Sequence, residues 1–359
     1  MALTQVRPEG LGFVNGKRNL IINGAMQVAQ RGTSFSSAAN NTYVVDRFRV
    51  KRNGMDELVY DLSQSSTSPD GFGNSIKLDV TTAETSSADG EYLKIDTTIE
   101  AQNVQQLKYG TSSAEQITMS FWVRSSTTGT YAIEMYTEDP DKQITNTYTV
   151  DSANTWEYKT VTFVGDTGGS INNDSGQGFL ISWFLSVPSN YKTGDSTSWR
   201  TYNADGRGYG QTADVASTTG EFYITGIQLE VGTNASDFEH ESFGETLRKC
   251  QRYCLVYGGT HAYERVGTGL SNTTVKTVAL VTFPVEMRSA PSITFSSVSH
   301  WAVWNASTVI AATGIGGDSL STKVSTLGVD VASGLTVGSA TQLLANNSTS
   351  ARLIWSAEL

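Results

Sequence analysis

The chain has 359 residues, enough for two domains, with 38% hydrophobic residues, only 17% charged residues and 34 glycines. This composition is typical of all-β extracellular or structural proteins, and 7 Trp, 15 Tyr and 13 Phe supply enough apolar surface to argue against disorder. A net charge of −10 and a pI near 4.9 argue against nucleic-acid binding, which requires a basic face. No apolar stretch predicts a signal peptide or membrane insertion.

The chain begins with residues 1–18, which are too short and too polar to fold alone. From residue 19 onward, short apolar runs with alternating pattern are separated by turns rich in Ser, Thr, Gly and Asn. Strands are predicted at 19–28, 43–50, 76–80, 92–95, 117–123, 131–135, 156–164 and 179–187. About ten strands with almost no proline predict an antiparallel β-sandwich over residues 19–241, a plan shared by jelly-roll carbohydrate-binding modules.

A loop over residues 188–217 is far longer than connections usually are. Aromatic rings alternate there with hydrogen-bonding groups, and the candidate binding residues are Tyr191, Trp199, Arg200, Tyr202, Asp205 and Tyr209. Because the C–H faces of sugars stack on rings while their hydroxyls bind polar groups, this pattern predicts carbohydrate binding. The alternative is that Trp199 and Tyr202 pack the loop against the sandwich or against a neighbouring subunit.

The stretch 223–254 contains the last strand of the sandwich and the one clear helix. Phe222 and Ile224 differ in parity from the apolar residues at 227, 229 and 231, which predicts a β-bulge at Gly226. Ser242 and Glu245 have the spacing of a capping box, so a helix is predicted over 242–258 as a link between two β domains. Its apolar stripe is formed by Phe243, Leu247, Cys250, Cys254 and Tyr257. One helical turn separates the two cysteines, which argues against a disulfide and favours two small buried side chains.

The pattern of short apolar runs and turns over residues 259–359 predicts a second, smaller β domain. It has glycine-rich turns and an apolar strand at the C-terminus. Its most aromatic segment contains His300, Trp301 and Trp304. These side chains are predicted either as an exposed binding surface or as the core of a subunit interface.

Two groups of residues carry a resemblance to a known family. One is the run ITGIQLEVG at 224–232, followed by Phe238-Glu239 and the segment 250–253. The other is 19–24 with Met26, Gln30-Arg31-Gly32, Tyr43 and Asp46-Arg47-Phe48. Together they resemble a module of bacteriophage tail fibres and related virion appendage proteins, and they bracket residues 19–257.

The resemblance implies a jelly-roll-like module in a virion protein that acts outside the cell. It also implies that residues 1–18 dock onto other virion tail proteins and that the chain is a homotrimer. The helix would then contact its symmetry mates through Leu247, Cys250, Tyr253 and Cys254.

No constellation of catalytic residues stands out, since P-loop, dinucleotide, HExxH and nucleophile-elbow motifs are absent. The three histidines lack the spacing of a zinc site, and no metal or cofactor is predicted. Acidic residues that could serve a glycosidase or hold Ca²⁺ lie in predicted turns, where they are expected to shape the turn: Asp139, Asp141, Asp166, Asp174 and Asp205.

The sequence therefore predicts a non-enzymatic tail-fibre protein that attaches the virion to host surface polysaccharide. Two alternatives are a purely structural connector or decoration protein of the virion, and a depolymerase that cleaves the polysaccharide it binds.

Overall fold

The computed structural model describes residues 18–359, and it confirms a mostly β, antiparallel architecture with a single α-helix in that part of the chain. The described residues divide into two compact units. Unit 1 comprises residues up to Gln27, Ser34–Val44 and Phe48–Glu241; unit 2 comprises Val28–Thr33, Val45–Arg47 and Ser242–Leu359. The predicted docking segment 1–18 lies outside the described residues except for Arg18.

Unit 1 is a sandwich of two antiparallel sheets. Its strands are β1 (Ser34–Phe35), β2 (Thr42–Val45), β3 (Phe48–Asn53), β4 (Val59–Ser65), β5 (Ser75–Thr82), β6 (Tyr92–Glu100), β7 (Ile117–Ser125), β8 (Gly129–Thr137), β9 (Lys142–Val150), β10 (Glu157–Phe163), β11 (Gln177–Ser186), β12 (Arg200–Thr201) and β13 (Gly220–Val231). The six-stranded sheet has the order β1-β4-β5-β13-β7-β10, and the seven-stranded sheet has the order β12-β9-β8-β11-β6-β3-β2.

The core of unit 1 lies between these sheets, because alternate side chains of each strand point inward. Phe121 of the six-stranded sheet contacts the Trp183 ring of the seven-stranded sheet with 6.2 Å between centroids. Trp183 also lies beside Phe48, and all three side chains are fully buried. These aromatic contacts join the two inner faces into one core.

The predicted bulge at Gly226 is confirmed. The β13–β7 register shifts between Thr225 and Gln228, and Gly226 has φ +63°, a left-handed conformation that suits glycine. The shift lets Ile224 and Ile227, which differ in parity, both face the core.

The predicted strand at 19–28 is wrong, although the segment does contact β13. Asn23 and Met26 have φ values of 62° and 56°, which interrupt an extended conformation. The Leu20 N–H still donates to the Leu229 carbonyl at 2.9 Å, and the Ile227 N–H donates to the Gly24 carbonyl at 3.0 Å. A Cβ at Gly24 would lie 2.0 Å from the Ile227 carbonyl oxygen, so this close approach requires glycine.

Unit 2 contains one helix, a three-stranded sheet of order β14-β22-β17 and a closed barrel of order β15-β16-β20-β19-β18-β21. Its elements are α1 (Phe243–Gln251), β14 (Cys254–Tyr257), β15 (Arg265–Ser271), β16 (Lys276–Thr282), β17 (Ser292–Phe295), β18 (Trp301–Trp304), β19 (Val309–Leu320), β20 (Val324–Val331), β21 (Ala340–Ala345) and β22 (Leu353–Ser356). Trp301, Leu327 and Trp355 are among the buried residues of its core.

The helix begins as predicted and ends earlier than predicted. Ser242 Oγ accepts from the Glu245 N–H, and the Glu245 carboxylate accepts from the Ser242 N–H, which completes the capping box. Helix α1 ends at Gln251, and residues 254–257 form β14, paired with β22. The prediction of a helix over 242–258 is therefore wrong at its C-terminal end, because pairing with β22 overrides the helical spacing of the apolar residues.

The proposed subunit contacts on this segment are also wrong for three of four residues. Cys250, Tyr253 and Cys254 are fully buried within a single copy of unit 2, and only Leu247 is half-exposed. Both thiols are unbridged, and burial raises the pKa of each well above its ordinary value. Side chains already covered by their own chain cannot form the trimer contact.

The covering groups come from the N-terminal motif. The Arg47 guanidinium lies 3.5 Å from the Tyr253 ring centroid and pairs with Glu358, and Arg31 Nη2 lies 3.1 Å from the Glu358 carboxylate. Gln30 donates to the Cys254 carbonyl at 2.7 Å. Arg47 of one part of the resembling motif thus contacts Tyr253 of the other part within unit 2, and Gln30 contacts the adjacent Cys254.

Candidate functional site

The long loop at 188–217 lies across the outward face of the seven-stranded sheet. Thr145 N–H of β9 donates to the Ser196 carbonyl at 2.7 Å, and the Gln143 side chain exchanges hydrogen bonds of 3.0 Å with the backbone of Asn203. Gln211 accepts from the Ala132 N–H of β8. These bonds attach the loop to two neighbouring strands and fix its conformation.

Arg207 anchors the loop to the sheet. Its guanidinium makes a bidentate pair with Glu134 of β8 at 3.1–3.3 Å, and both side chains are buried. Burial disfavours this charge, but the Glu134 carboxylate more than compensates and raises the pKa of Arg207. The guanidinium lies 5.0–5.8 Å from four ring centroids, those of Tyr92, Phe184, Tyr191 and Tyr202.

A second group of buried charges continues across the same sheet. Lys94 Nζ lies 3.1 Å from the Asp96 carboxylate and donates to Ser182 Oγ at 2.9 Å, and Arg49 binds the same carboxylate at 2.9 and 3.1 Å. Burial lowers the pKa of Lys94. The sequence analysis did not identify these residues or Arg207 as a group of buried charges. Charged residues within otherwise apolar strands, as at Lys94 and Glu134, could have indicated it.

Most of the predicted loop residues serve the structure of the loop. Trp199 donates from Nε1 to the Val164 carbonyl at 2.7 Å and packs on Tyr109 and Phe179, so the packing alternative holds for this residue. Arg200 pairs with Asp205 at 3.0 Å. Tyr191 and Tyr209 are half-buried, and the Tyr191 ring lies 6.2 Å from that of Tyr92.

Tyr202 is the member of the predicted set that remains open to solvent, with 38% of its surface exposed. Its ring meets the half-exposed Tyr136 ring edge-on at 5.3 Å. The Tyr202 N–H donates to the Asp141 carbonyl at 2.9 Å, and the Tyr136 hydroxyl donates to the Asp141 carboxylate at 3.0 Å. Burial and the Asp141 carboxylate raise the pKa of Tyr136 to about 12, so its hydroxyl stays protonated at neutral pH.

This arrangement, defined here as the Tyr202 site (Tyr202, Tyr136 and Asp141), combines ring surface with hydrogen-bonding groups. The rings offer an apolar surface, the carboxylate accepts hydrogen bonds, and the loop bonds hold the parts in place before any ligand arrives. Such a site can hold a polyhydroxylated ring without covalent chemistry.

The aromatic candidates of unit 2 do not form one surface. Trp301 is fully buried in the barrel core, so its assignment as a binding residue is wrong; strand alternation turns Trp301 inward and Trp304 outward. Trp304 is half-buried, with the Arg265 guanidinium 5.6 Å from its ring centroid. His300 Nδ1 lies 3.0 Å from Ser296 Oγ in a neighbouring turn.

The acidic candidates are engaged by groups of their own or neighbouring loops and strands. Asp139 accepts from the backbone and side chain of Asn172, Asp166 pairs with Lys142 at 2.8 Å, and Asp174 accepts from the Gly176 N–H. Within residues 18–359 no group of three His, Cys, Asp or Glu is arranged to hold a metal ion. The same residues include no helix with the length and apolarity needed to span a bilayer.

No family model and no curated protein matches the sequence. Among solved structures, the chain is similar to the enzymatically active domain of bacteriophage CBA120 tailspike protein 4, with 12% identity and a TM-score of 0.31 over 55% of this chain and 21% of that chain. The matched part thus spans about a fifth of the tailspike chain.

Two carbohydrate-binding modules are similar at the same level. One is the family 11 module of a Clostridium thermocellum cellulosomal cellulase, with 10% identity and a TM-score of 0.30 over 56% of this chain and 97% of that chain. The other is the module TmCBM61 in complex with β-1,4-galactotriose, with 9% identity and a TM-score of 0.29 over 60% of this chain and 100% of that chain. At this level of similarity, function has to be argued from the residues of the chain itself.

Proposed function

We propose that this protein is a virion fibre or appendage protein that binds a host surface polysaccharide without cleaving it. The observation that carries the binding activity is the Tyr202 site, where a solvent-exposed ring is held next to a carboxylate by a loop anchored through buried charges. The resemblance of the two sequence motifs to tail-fibre proteins supports the virion context.

The anchoring of the loop is what makes the Tyr202 site suited to binding. Ordering a flexible loop on binding costs roughly 0.5–1.5 kcal/mol for each immobilised side chain, and a preformed site avoids much of that cost. The Arg207–Glu134 pair and the loop–β9 hydrogen bonds supply this anchoring from within the chain. A single site of this size binds weakly, and several copies on one particle supply the avidity.

The virion role includes two further proposals. Residues 1–18 dock the chain onto other tail proteins, and three copies assemble into a homotrimer that acts outside the cell. Because Cys250, Tyr253 and Cys254 are core residues, the contacts between copies are formed by other surfaces.

Adsorption of the purified protein to host cells tests the binding activity. We expect wild-type protein to adhere and to compete with virions for adsorption, and Tyr202→Ala to weaken binding about tenfold, or ~1.4 kcal/mol. Tyr202→Phe keeps the ring and should bind nearly as well. Tyr263→Ala, which removes a ring of 49% exposure in unit 2, is the matched control and should bind like wild type.

Two results would overturn the proposal. Wild-type protein that neither adheres to cells nor blocks adsorption would assign a purely structural role in the virion. Release of reducing sugar ends from capsule or lipopolysaccharide would instead assign a depolymerase.

A further inference from the structure

The outward face of the six-stranded sheet carries a line of aromatic side chains that the Tyr202 site does not include. Trp122 of β7 and Tyr158 of β10 are direct cross-strand partners with 5.4 Å between ring centroids. Phe121 of β7 and Val161 of β10 point into the core. They lie an odd number of positions from Trp122 and Tyr158, respectively, so strand alternation turns both rings outward. Tyr158 is 45% exposed and Trp122 is half-exposed.

The bulge at Gly226 extends this line beyond β7. A Cβ on Gly226 would lie 2.7 Å from Phe72 Cζ and 3.1 Å from Trp122 Cδ1. Both rings therefore lie close to the glycine backbone, in space that a side chain would enter. Glycine marks positions in a strand where another group approaches the backbone closely, and here that group is a pair of aromatic rings.

A short segment after β13 adds two more rings. The Gln228 side chain accepts from the Glu239 N–H at 2.8 Å, and the Glu230 side chain accepts from the Ser236 N–H at 2.8 Å, so outward groups of β13 hold residues 236–239 over the sheet. The Phe238 ring then contacts Phe72 at 5.0 Å and His240 at 4.9 Å.

We define the aromatic strip as Tyr158, Trp122, Phe72, Phe238 and His240. It runs from β10 across β7 and β13 to the loop before β5, or three strand spacings of about 4.8 Å each, roughly 15 Å. This length suits an oligosaccharide rather than a single sugar. A strip fixed by sheet register and hydrogen bonds is also preorganised for binding.

The groups around the strip indicate the chemistry of its ligand. Outward positions of β5, β7 and β10 hold hydroxyl, charged and aromatic side chains and no Leu, Ile, Val or Met, so hydrogen-bonding groups surround the rings of the strip. The two cations beside the strip, Lys77 and Arg124, have partners within the protein. Lys77 pairs with Asp79 and Glu221 at 3.0 and 2.6 Å, and Arg124 lies over the Tyr223 ring while it donates to the Asn154 carbonyl.

We infer that the aromatic strip is a second binding surface, specific for an extended, neutral polysaccharide chain. Rings spaced along the strip stack on successive sugar units, and the neighbouring hydroxyl and amide groups bind the sugar hydroxyls. The paired charges leave no excess positive charge to select an anionic polymer. The inference shares its ligand class with the proposed function and uses different residues.

Affinity electrophoresis in native gels tests this inference with the full chain. The gels contain a galactan, a xylan, a mixed-linkage glucan or a mannan as neutral probes, and alginate as an anionic probe. We expect at least one neutral polymer to retard wild-type protein. Tyr158→Ala and Trp122→Ala should each weaken this retardation at least tenfold, while Tyr263→Ala, which removes an exposed ring of unit 2, leaves it unchanged.

The outcomes separate the two surfaces. Tyr202→Ala should retain retardation by the polymer that the strip binds. If Tyr202→Ala loses this retardation while Tyr158→Ala and Trp122→Ala keep it, the inference is overturned and the proposed function remains intact.

Retardation of wild-type protein by alginate alone, or by no polymer, would also overturn the inference. Because Tyr158 is exposed, its variant remains informative if Trp122→Ala fails to fold. Self-association of wild type that Tyr158→Ala abolishes would assign the strip to contact between copies and contradict the inference.

Discussion

The two outward faces of the sandwich in unit 1 differ in how they are covered. On the seven-stranded sheet, a loop of about thirty residues places Arg207 beside the buried Glu134. On the six-stranded sheet, residues 236–240 cover only part of the face and leave the aromatic strip in contact with solvent. Buried charged side chains characterise the first face, and partly exposed aromatic rings characterise the second.

The two faces share one sheet geometry but differ in whether their outward groups can be left exposed. Buried charges require partners, because an isolated charge in a protein interior is strongly destabilising. The long loop supplies the partner of Glu134, whereas Lys94 and Asp96 pair with each other and with Arg49 of β3. The exposed part of the loop then carries the Tyr202 site. Aromatic rings tolerate partial exposure, so the six-stranded sheet needs no comparable cover.

The largest effect is expected for Arg207→Ala. Removal of this guanidinium leaves the Glu134 carboxylate buried without its bidentate partner, which should lower the free energy of unfolding by about 3–5 kcal/mol. Urea titration of wild type and variant measures the loss. Arg200→Ala, which removes a partly exposed pair with Asp205, is the control and should cost no more than about 1 kcal/mol. Equal losses in the two variants would contradict the structural role of the covered face.

Gly226→Ala should have the next largest effect. The substitution places a Cβ 2.7 Å from Phe72 at φ +63°, and we expect a loss of roughly 1–3 kcal/mol together with weaker retardation by the neutral polymer. Gly232→Ala is the matched control, since that glycine also has positive φ but has no atom within 4 Å of its Cβ position. If both variants retain wild-type binding, the strip does not depend on the bulge.

Lys94→Met should change the free energy of unfolding by a smaller amount that depends on pH. Burial lowers the pKa of Lys94 below its ordinary value of 10.5, so in the window between the lowered pKa and 10.5 the unfolded chain binds more protons than the folded chain. The free energy of unfolding of wild type, measured relative to Lys94→Met, should therefore rise with pH as the solution approaches pH 10.5. A difference that is flat or falls with pH would show that Lys94 is not desolvated.

The smallest stability effect is expected for Tyr158→Ala. Its side chain is 45% exposed, and a surface substitution of this kind usually changes the free energy of unfolding by no more than about 0.5 kcal/mol. Thermal and urea unfolding should thus coincide with wild type, even though polysaccharide binding is weakened. A large loss of stability would show that the ring packs as core and would weaken the case for the strip.

Local patterns were sufficient to predict part of this architecture. Alternation predicted the antiparallel strands, the change of parity predicted the bulge at Gly226, and the Ser242–Glu245 spacing predicted the helix start. Each of these features depends on residues near one another in the chain. The helix end was predicted wrongly because it depends on β22, which is distant in sequence.

The functional surfaces were harder to predict for the same reason. The loop composition indicated Tyr202 but could not separate it from Trp199, since the distinction depends on Tyr109 and Phe179 in other elements. The aromatic strip combines side chains from two strands, one loop and the segment after β13. Only the sheet register and the bulge bring these side chains together.

The most direct test of the central claim is binding of the full chain to an array of bacterial surface polysaccharides and neutral plant polysaccharides. We expect wild-type protein to bind at least one glycan, and the double variant Tyr202→Ala/Tyr158→Ala to lose that binding while its unfolding curve stays within about 1 kcal/mol of wild type. Absence of wild-type binding to every glycan, or full binding by the double variant, would contradict the account.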